Sequence, residues 1–213
     1  MRVVRRNVKY PRIDLRDGEI TIIAPPGADV DKILKEKKEW IERNMNKINS
    51  MITRAEEEIE AHGVMILDRP YKIIHNCKNV GLAGDRIMVC RKRAEYLRSK
   101  LREILKMDLE KMVNRYSAIL GVKPQRIYIR EQVTKWGSCS SRKNLSFNLS
   151  LIFLPEKFRE SVVAHETVHL IHPNHGKGFR DSLSKLGVYL PSREEMLYYW
   201  YYSQVAKKKL YLT

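Results

Sequence analysis

Two histidines four residues apart with a glutamate beside the first, His165-Glu166-Thr167-Val168-His169, can work together only on a helix. No other feature constrains the fold of this chain as much. On an α-helix, residues four apart lie about 40° apart around the axis and one turn along it, so both imidazoles can reach one metal ion. Glu166 is rotated about 60° from His169, close enough to take a proton from a metal-bound water without itself being a ligand. At this composition the pattern arises by chance in roughly one chain in a hundred. The plain alternative is two core or surface histidines, so a third ligand decides the matter.

Two residues compete for that place, His172 and His175. His172 lies on the face of His165, but seven residues separate them, about 10 Å of helix axis, too long a span for one ion. Pro173 drives His172 out of the α conformation, so the helix should stop there. Asn174 tolerates a left-handed turn that can swing His175 back. His175 is the better ligand, and His172 reads as a supporting or capping residue. The His169 to His175 spacing equals that of metzincins, yet His172 stands where their glycine would be, which argues against that class.

Around this helix the chain reads as two parts. Residues 1–93 form an N-terminal β-rich region with one long helix, and residues 94–213 form the HExxH-bearing domain. In the first part, Glu19 to Ile23 and Arg86 to Cys90 are strand-like runs bounded by Asp17-Gly18 and Gly84-Asp85 turn signals. After Pro25-Pro26-Gly27, Asp29 or Asp31 caps a helix in which Val30, Ile33, Leu34, Trp40, Ile41 and Ile48 recur at helical spacing. The second part opens with a helix from Ala94 to Leu120, ended by Gly121 and Pro124. Residues 126–133 and 145–151 alternate as half-buried strands, joined by the polar Trp136 to Asn144 segment as a hairpin rim. Pro155 starts the HExxH helix, and Ser192 with Glu195 forms a capping box for a last one.

Composition limits the remaining function classes. With 213 residues, 43% of them hydrophobic, the chain can bury an ordinary core, and no apolar run is long enough to cross a bilayer. The basic N-terminus lacks the features of a signal peptide, so a cytoplasmic location is expected. Cys77, Cys90 and Cys139 sit at no metal-finger spacing and are odd in number, so reduced thiols are expected rather than a disulfide framework. A net charge of +16 favours anionic partners, nucleic acid or nucleotide. Against that, Lys and Glu interleave from Lys32 to Glu60 as on a solvated face.

Two further segments need weighing. Trp136-Gly137-Ser138-Cys139-Ser140-Ser141 can form the edge strand that pairs with an extended peptide, with Ser138 or Ser140 donating hydrogen bonds. Its bland reading is a structural turn, with Gly137 giving backbone freedom and Trp136 packing in the core. Cys139 reads as a small buried hydrophobe. Five successive aromatics, Tyr198 to Tyr202, point around most of a helix, so core packing is their default.

Trp136-Gly137-Ser138-Cys139-Ser140, the alternating strand after it, and His165-Glu166-x-x-His169 with Asn174-His175-Gly176 and Phe179 together resemble the YgjP-like metallopeptidase family and its SprT-like relatives. The resemblance extends back through Ala24-Pro25-Pro26-Gly27 and Lys38-Glu39-Trp40-Ile41, nearly the whole chain. It implies an α+β fold, a small gluzincin-like zinc metallopeptidase unit behind an N-terminal β-rich region. It also implies that His165, His169 and His175 bind one Zn2+ per chain, with Glu166 as the catalytic acid/base acting on a peptide or protein substrate. Gly176, Arg180 and Thr167 depart from the family's usual residues, and these positions touch the rim and packing, not the ligand set. Trp136, Gly137, Ser138 and Ser140 are the candidate substrate-binding residues. Two other functions stay open: a metal-dependent nucleotide hydrolase, for which no phosphate-cradling glycine loop is present, and a SprT-like protease acting on DNA-bound protein, for which no DNA-binding motif is present. Nothing suggests a membrane partner, and the oligomeric state is not legible.

Overall fold

A computed structural model describes residues 1–16 and 19–212. It shows a mixed α/β chain with five α-helices and three small sheets among those residues. The Asp17-Gly18 turn signal lies outside them. By its contacts the chain groups into two units, Met1–Glu57 and Glu58–Thr213, and the division falls within the first helix. No helix among the described residues is long and apolar enough to cross a membrane.

In the first unit, β1 (Arg2–Arg5), β2 (Arg12–Arg16) and β3 (Glu19–Ala24) form a sheet with β3 at its centre, parallel to β1 and antiparallel to β2. Ile22, Ile23 and Ala24 of the central strand are buried. Asp29 is the residue that caps the following helix α1 (Val30–His62), its carboxylate accepting from the Lys32 amide at 3.0 Å. The buried positions Ile41, Ile48, Met51, Ala55 and Ile59 recur at three, four or seven residues, while Trp40 stays 41% exposed.

The second unit begins with a four-stranded sheet of β4 (Val64–Ile66), β5 (Arg69–His75), β6 (Gly81–Ala83) and β7 (Arg86–Val89), in the order β4-β5-β7-β6. Here the expectation of three reduced thiols fails, because Cys77 and Cys90 are joined as a disulfide and only Cys139 is free. The cause is topological. β5 and β7 are parallel neighbours with His75 opposite Val89, so two cysteines 13 residues apart in sequence emerge side by side at the ends of adjacent strands.

Helix α2 (Ala94–Leu120) buries a stripe of Leu97, Leu101, Leu105, Leu109, Met112, Val113 and Tyr116, and Gly121 ends it at φ 65°, the left-handed conformation glycine adopts without strain. It packs on a second sheet of β8 (Arg126–Arg130), β9 (Gly137–Cys139) and β10 (Asn144–Asn148), ordered β8-β10-β9. The expected hairpin of the two alternating runs does not form: β8 pairs with β10 in parallel, and it is the rim segment itself, as β9, that makes the antiparallel hairpin with β10. The alternating run stops as strand at Asn148 instead of continuing to residue 151. The Asn148 side chain accepts from the Ser150 amide, and Leu149–Phe153 tightens into a 3-10 helix whose five residues are all buried. Helices α3 (Glu156–Val168), α4 (Lys177–Lys185) and α5 (Arg193–Lys209) complete the unit. The Ser192–Glu195 capping box is formed on both sides, and Tyr198, Tyr201 and Tyr202 of α5 are buried, as core packing requires.

Candidate active site

Helix α3 presents the HExxH segment because its other face is apolar, with Phe158, Val163, Ala164 and Val168 buried. His165 lies in its last turn, and His169 is its C-terminal cap. The chain turns after His172, whose amide still reaches Val168 O at 3.0 Å. It then returns His175 to the end of α3, where three imidazole Nε2 atoms converge. Their separations are 3.2 Å between His165 and His169, 3.1 Å between His169 and His175, and 3.0 Å between His175 and His165. Phe179, 3% exposed on α4, stacks against all three rings with centroids 4.7 to 4.9 Å away, an apolar support that holds the rings together.

The polarity of this cluster follows from one hydrogen bond. His169 Nδ1 lies 2.9 Å from the His172 carbonyl oxygen, which can only accept, so Nδ1 carries the proton and a neutral His169 turns a lone pair on Nε2 toward its neighbours. Burial, and then the neighbouring His169 and His175, push the His165 imidazole down to about 4, so it stays neutral at ordinary pH. Lone pairs crowded at such distances call for a cation. The spacing suits tetrahedral nitrogen ligands about 2.0 to 2.1 Å from zinc, which lie about 3.3 Å from one another. The three side chains are thus a group that can hold a metal ion.

His172 does not join the cluster. Its imidazole Nε2 lies 3.1 Å from Ser182 Oγ of α4, and it packs so closely on Gly178 that a Cβ there would fall 2.8 Å from its Cε1. His172 thereby ties the end of α3 to α4, the helix that follows His175.

Glu166, buried at 8% exposure, follows His165 on α3 and lies against Gly137 of β9. Burial raises its carboxyl to about 7, opposed in part by the Lys135 ammonium. Burial likewise pushes the half-buried Cys139 thiol up, with the Glu166 charge adding to the effect. Lys135 and Ser182 carry no sequence signal that marks them as site residues, whereas Phe179 belongs to the family pattern, four residues after His175.

The remaining rim residues divide by what they touch. Trp136 packs edge-on against Phe158 of α3 and Trp200 of α5. The Ser138 hydroxyl accepts from Gln132 Nε2 at 3.3 Å, and the Ser140 hydroxyl accepts from the Asn144 amide at 3.1 Å inside the hairpin turn. β9 is an edge strand. Trp136 O and Ser140 N bond across to β10, so by antiparallel alternation Ser138 also faces β10, while Gly137 and Cys139 turn their backbone N–H and C=O groups to the free edge.

A family model described as YgjP-like, metallopeptidase domain matches residues 9–197 of the chain. Two solved structures are similar to part of it. One is the zymogen of the metallopeptidase abylysin from Pyrococcus abyssi, with 19% identity over 42% of this chain and 87% of that one and a TM-score of 0.35. The other is the zymogen of the metallopeptidase jannalysin from Methanocaldococcus jannaschii, with 23% identity over 47% of this chain and 86% of that one and a TM-score of 0.35. No curated protein matches.

Proposed function

The chain belongs to the YgjP-like metallopeptidase family, and from that premise we propose that it is a zinc-dependent peptidase in which His165, His169 and His175 hold one zinc ion per chain and Glu166 moves the protons. The observation that carries this reading is the meeting of three imidazole Nε2 atoms within 3.0 to 3.2 Å of one another, on a helix whose next residue after His165 is a buried glutamate.

Zinc at such a site supplies Lewis acidity, making water nucleophilic near neutral pH and polarising the scissile carbonyl. Glu166 accepts a proton on its carboxylate and later delivers it to the departing amine nitrogen. A carboxyl raised to about 7 by burial suits a group that must do both near neutral pH. The substrate is taken as an extended strand along β9, pairing with the outward backbone groups of Gly137 and Cys139. Trp136, Ser138 and Ser140 fix this strand from within the protein, since their own partners are already Phe158, Trp200, Gln132 and Asn144.

The test is a turnover assay on an unfolded protein substrate with the zinc-loaded chain, set beside Glu166→Gln and a chelated sample. Peptide-bond hydrolysis lost on chelation and cut to a small residual rate in Glu166→Gln supports the reading. Hydrolysis of a nucleoside triphosphate with none of peptide would replace it by the nucleotide alternative, and cleavage only of DNA-bound protein would replace it by the DNA-associated one.

A further inference from the structure

Gly137 is a glycine for a reason other than backbone freedom. It is absent from the residues with positive φ, which among the described glycines are Gly27, Gly63, Gly81, Gly84, Gly121 and Gly187, so its conformation is open to any residue. Space is what it lacks. A Cβ built on it would lie 2.6 Å from Glu166 Cγ, 2.9 Å from Oε1 and 3.0 Å from Cδ, closer than side-chain atoms pack. The β9 backbone is therefore seated directly on the Glu166 side chain.

Which of the two would yield to an added methyl group follows from what holds each. β9 is held along its β10 side and at the residue that leads into it. The Trp136 carbonyl accepts from the Asn148 amide at 2.8 Å, the Ser140 amide donates to the Asn144 carbonyl at 2.9 Å, and the Trp136 ring is wedged against Phe158 and Trp200. The fully buried Asn148 also donates to the Gln132 and Lys135 carbonyls at 2.6 and 2.8 Å, holding the loop that leads into the strand. Moving the strand would break several of these bonds, whereas the Glu166 carboxylate can be displaced by rotation about its own side-chain torsions. The side chain gives way, and the fold remains.

We infer that Gly137 is the positioning residue for Glu166: the missing side chain lets the rim strand press the carboxylate into one place, which any larger residue would abolish. This rests on the peptidase reading above for its catalytic consequence, and on the steric contact alone for its structural one.

The experiment is Gly137→Ala in the wild-type and Glu166→Gln backgrounds, with zinc content, kcat and KM measured on unfolded protein. The expected result is full zinc content, KM within about twofold, and kcat reduced on the order of 100-fold, as a displacement of about 1 Å in a reacting group can cause. In the Glu166→Gln background the same change should lower the residual rate no further, because the group it acts through is already disabled. Unchanged kcat, a loss that tracks lost zinc, or an equal fold loss in both backgrounds would overturn the inference, the last by showing that Gly137 acts through substrate pairing. Should Gly137→Ala fail to fold, Glu166→Ala is added to it. Recovery of the fold supports the contact, and persistent failure overturns it. A wild-type chain that binds zinc and cleaves no peptide sinks the peptidase reading instead. The contact is then decided by melting temperature, Gly137→Ala being expected to lower it less when residue 166 is alanine, and an equal drop overturning it.

Discussion

Asp68 caps a helix that begins 88 residues further along the chain: its Oδ1 accepts from the Glu156 amide at 2.9 Å, and its Oδ2 pairs with Arg159 at 2.9 Å, on the helix that carries His165, Glu166 and His169. Pro155, the helix's own cap position, offers no side-chain bond. Asp68 reaches the amide from the β4–β5 turn, at φ 64°, a left-handed conformation that Asp and Asn tolerate. Arg159 is 2% exposed and is also held by Asp108 at 2.9 Å. Asp68→Ala should therefore cost about 1 kcal/mol for the cap and a further few kcal/mol for weakening the pairing of a buried cation. Asp68→Asn, which keeps the cap acceptor and the backbone tolerance, should lose less. Denaturant midpoints would order them, and equal stability of both variants with wild type would remove Asp68 from the support of this helix.

Zinc affinity should separate the two candidate third ligands. His175→Ala removes one of three converging nitrogens and should abolish retention of the metal through chelation. His172→Ala leaves intact the backbone carbonyl that orients His169 and loses the bond to Ser182 and the packing on Gly178, so a loss of about 10- to 100-fold is expected, typical of a supporting residue. Competition against a chromogenic chelator gives the order, and the reverse order would mean that His172 is the ligand.

Glu166 and His165 should pull the stability of the metal-free protein in opposite directions with pH. The folded state raises the Glu166 carboxyl from 4.5 to about 7. Between those values the folded chain holds more protons than the unfolded one, and this contribution falls as pH rises. The folded state lowers His165 from 6.5 to about 4. There the unfolded chain holds more protons, and stability rises with pH. The windows overlap from about pH 4.5 to 6.5, where the two slopes oppose each other. Glu166→Gln should uncover a stability that climbs with pH through this range. If urea midpoints of the metal-free variant are as flat as those of the metal-free wild type, the opposition does not exist.

What could be read from sequence was local. The HExxH helix, the Gly121 stop and the Ser192–Glu195 capping box are each specified within a few residues, and the structure forms them, although the helix ends at Val168 with His169 as its cap instead of running on to Pro173. What escaped depends on residues far apart in the chain. The cap from Asp68 and the parallel pairing of β8 with β10 have no periodic signature. Gly137 reads from sequence as a substrate-rim residue or a source of backbone freedom, and neither reading shows its contact with Glu166, which reaches it from another element. Leu149 and Leu151 continue the strand alternation, but the Asn148 side chain captures the Ser150 amide and ends the strand there. That competition from a local side chain is familiar, and its outcome depended on the full burial of the residues that follow.

The disulfide supplies the last prediction. Cys77 and Cys90 close a loop with a sequence separation of 13, for which the loss of unfolded-chain entropy corresponds to about 3 kcal/mol of stabilisation. The loop includes β6 and β7 at one end of the β4–β7 sheet, whereas the converging histidines lie on and after α3. Cys77→Ser with Cys90→Ser, or treatment with a reductant, should therefore lower the melting temperature by several degrees and leave zinc content unchanged. Thiol titration of the unfolded, unreduced protein should find Cys139 alone. Disulfides of this kind persist in oxidising compartments or inside hyperthermophiles, so the cross-link is compatible with the cytoplasmic location expected from the sequence only in the second setting. Three titratable thiols in protein purified without reductant would show that the pair stays reduced, and a melting temperature unmoved by the double substitution would show that the loop needs no staple.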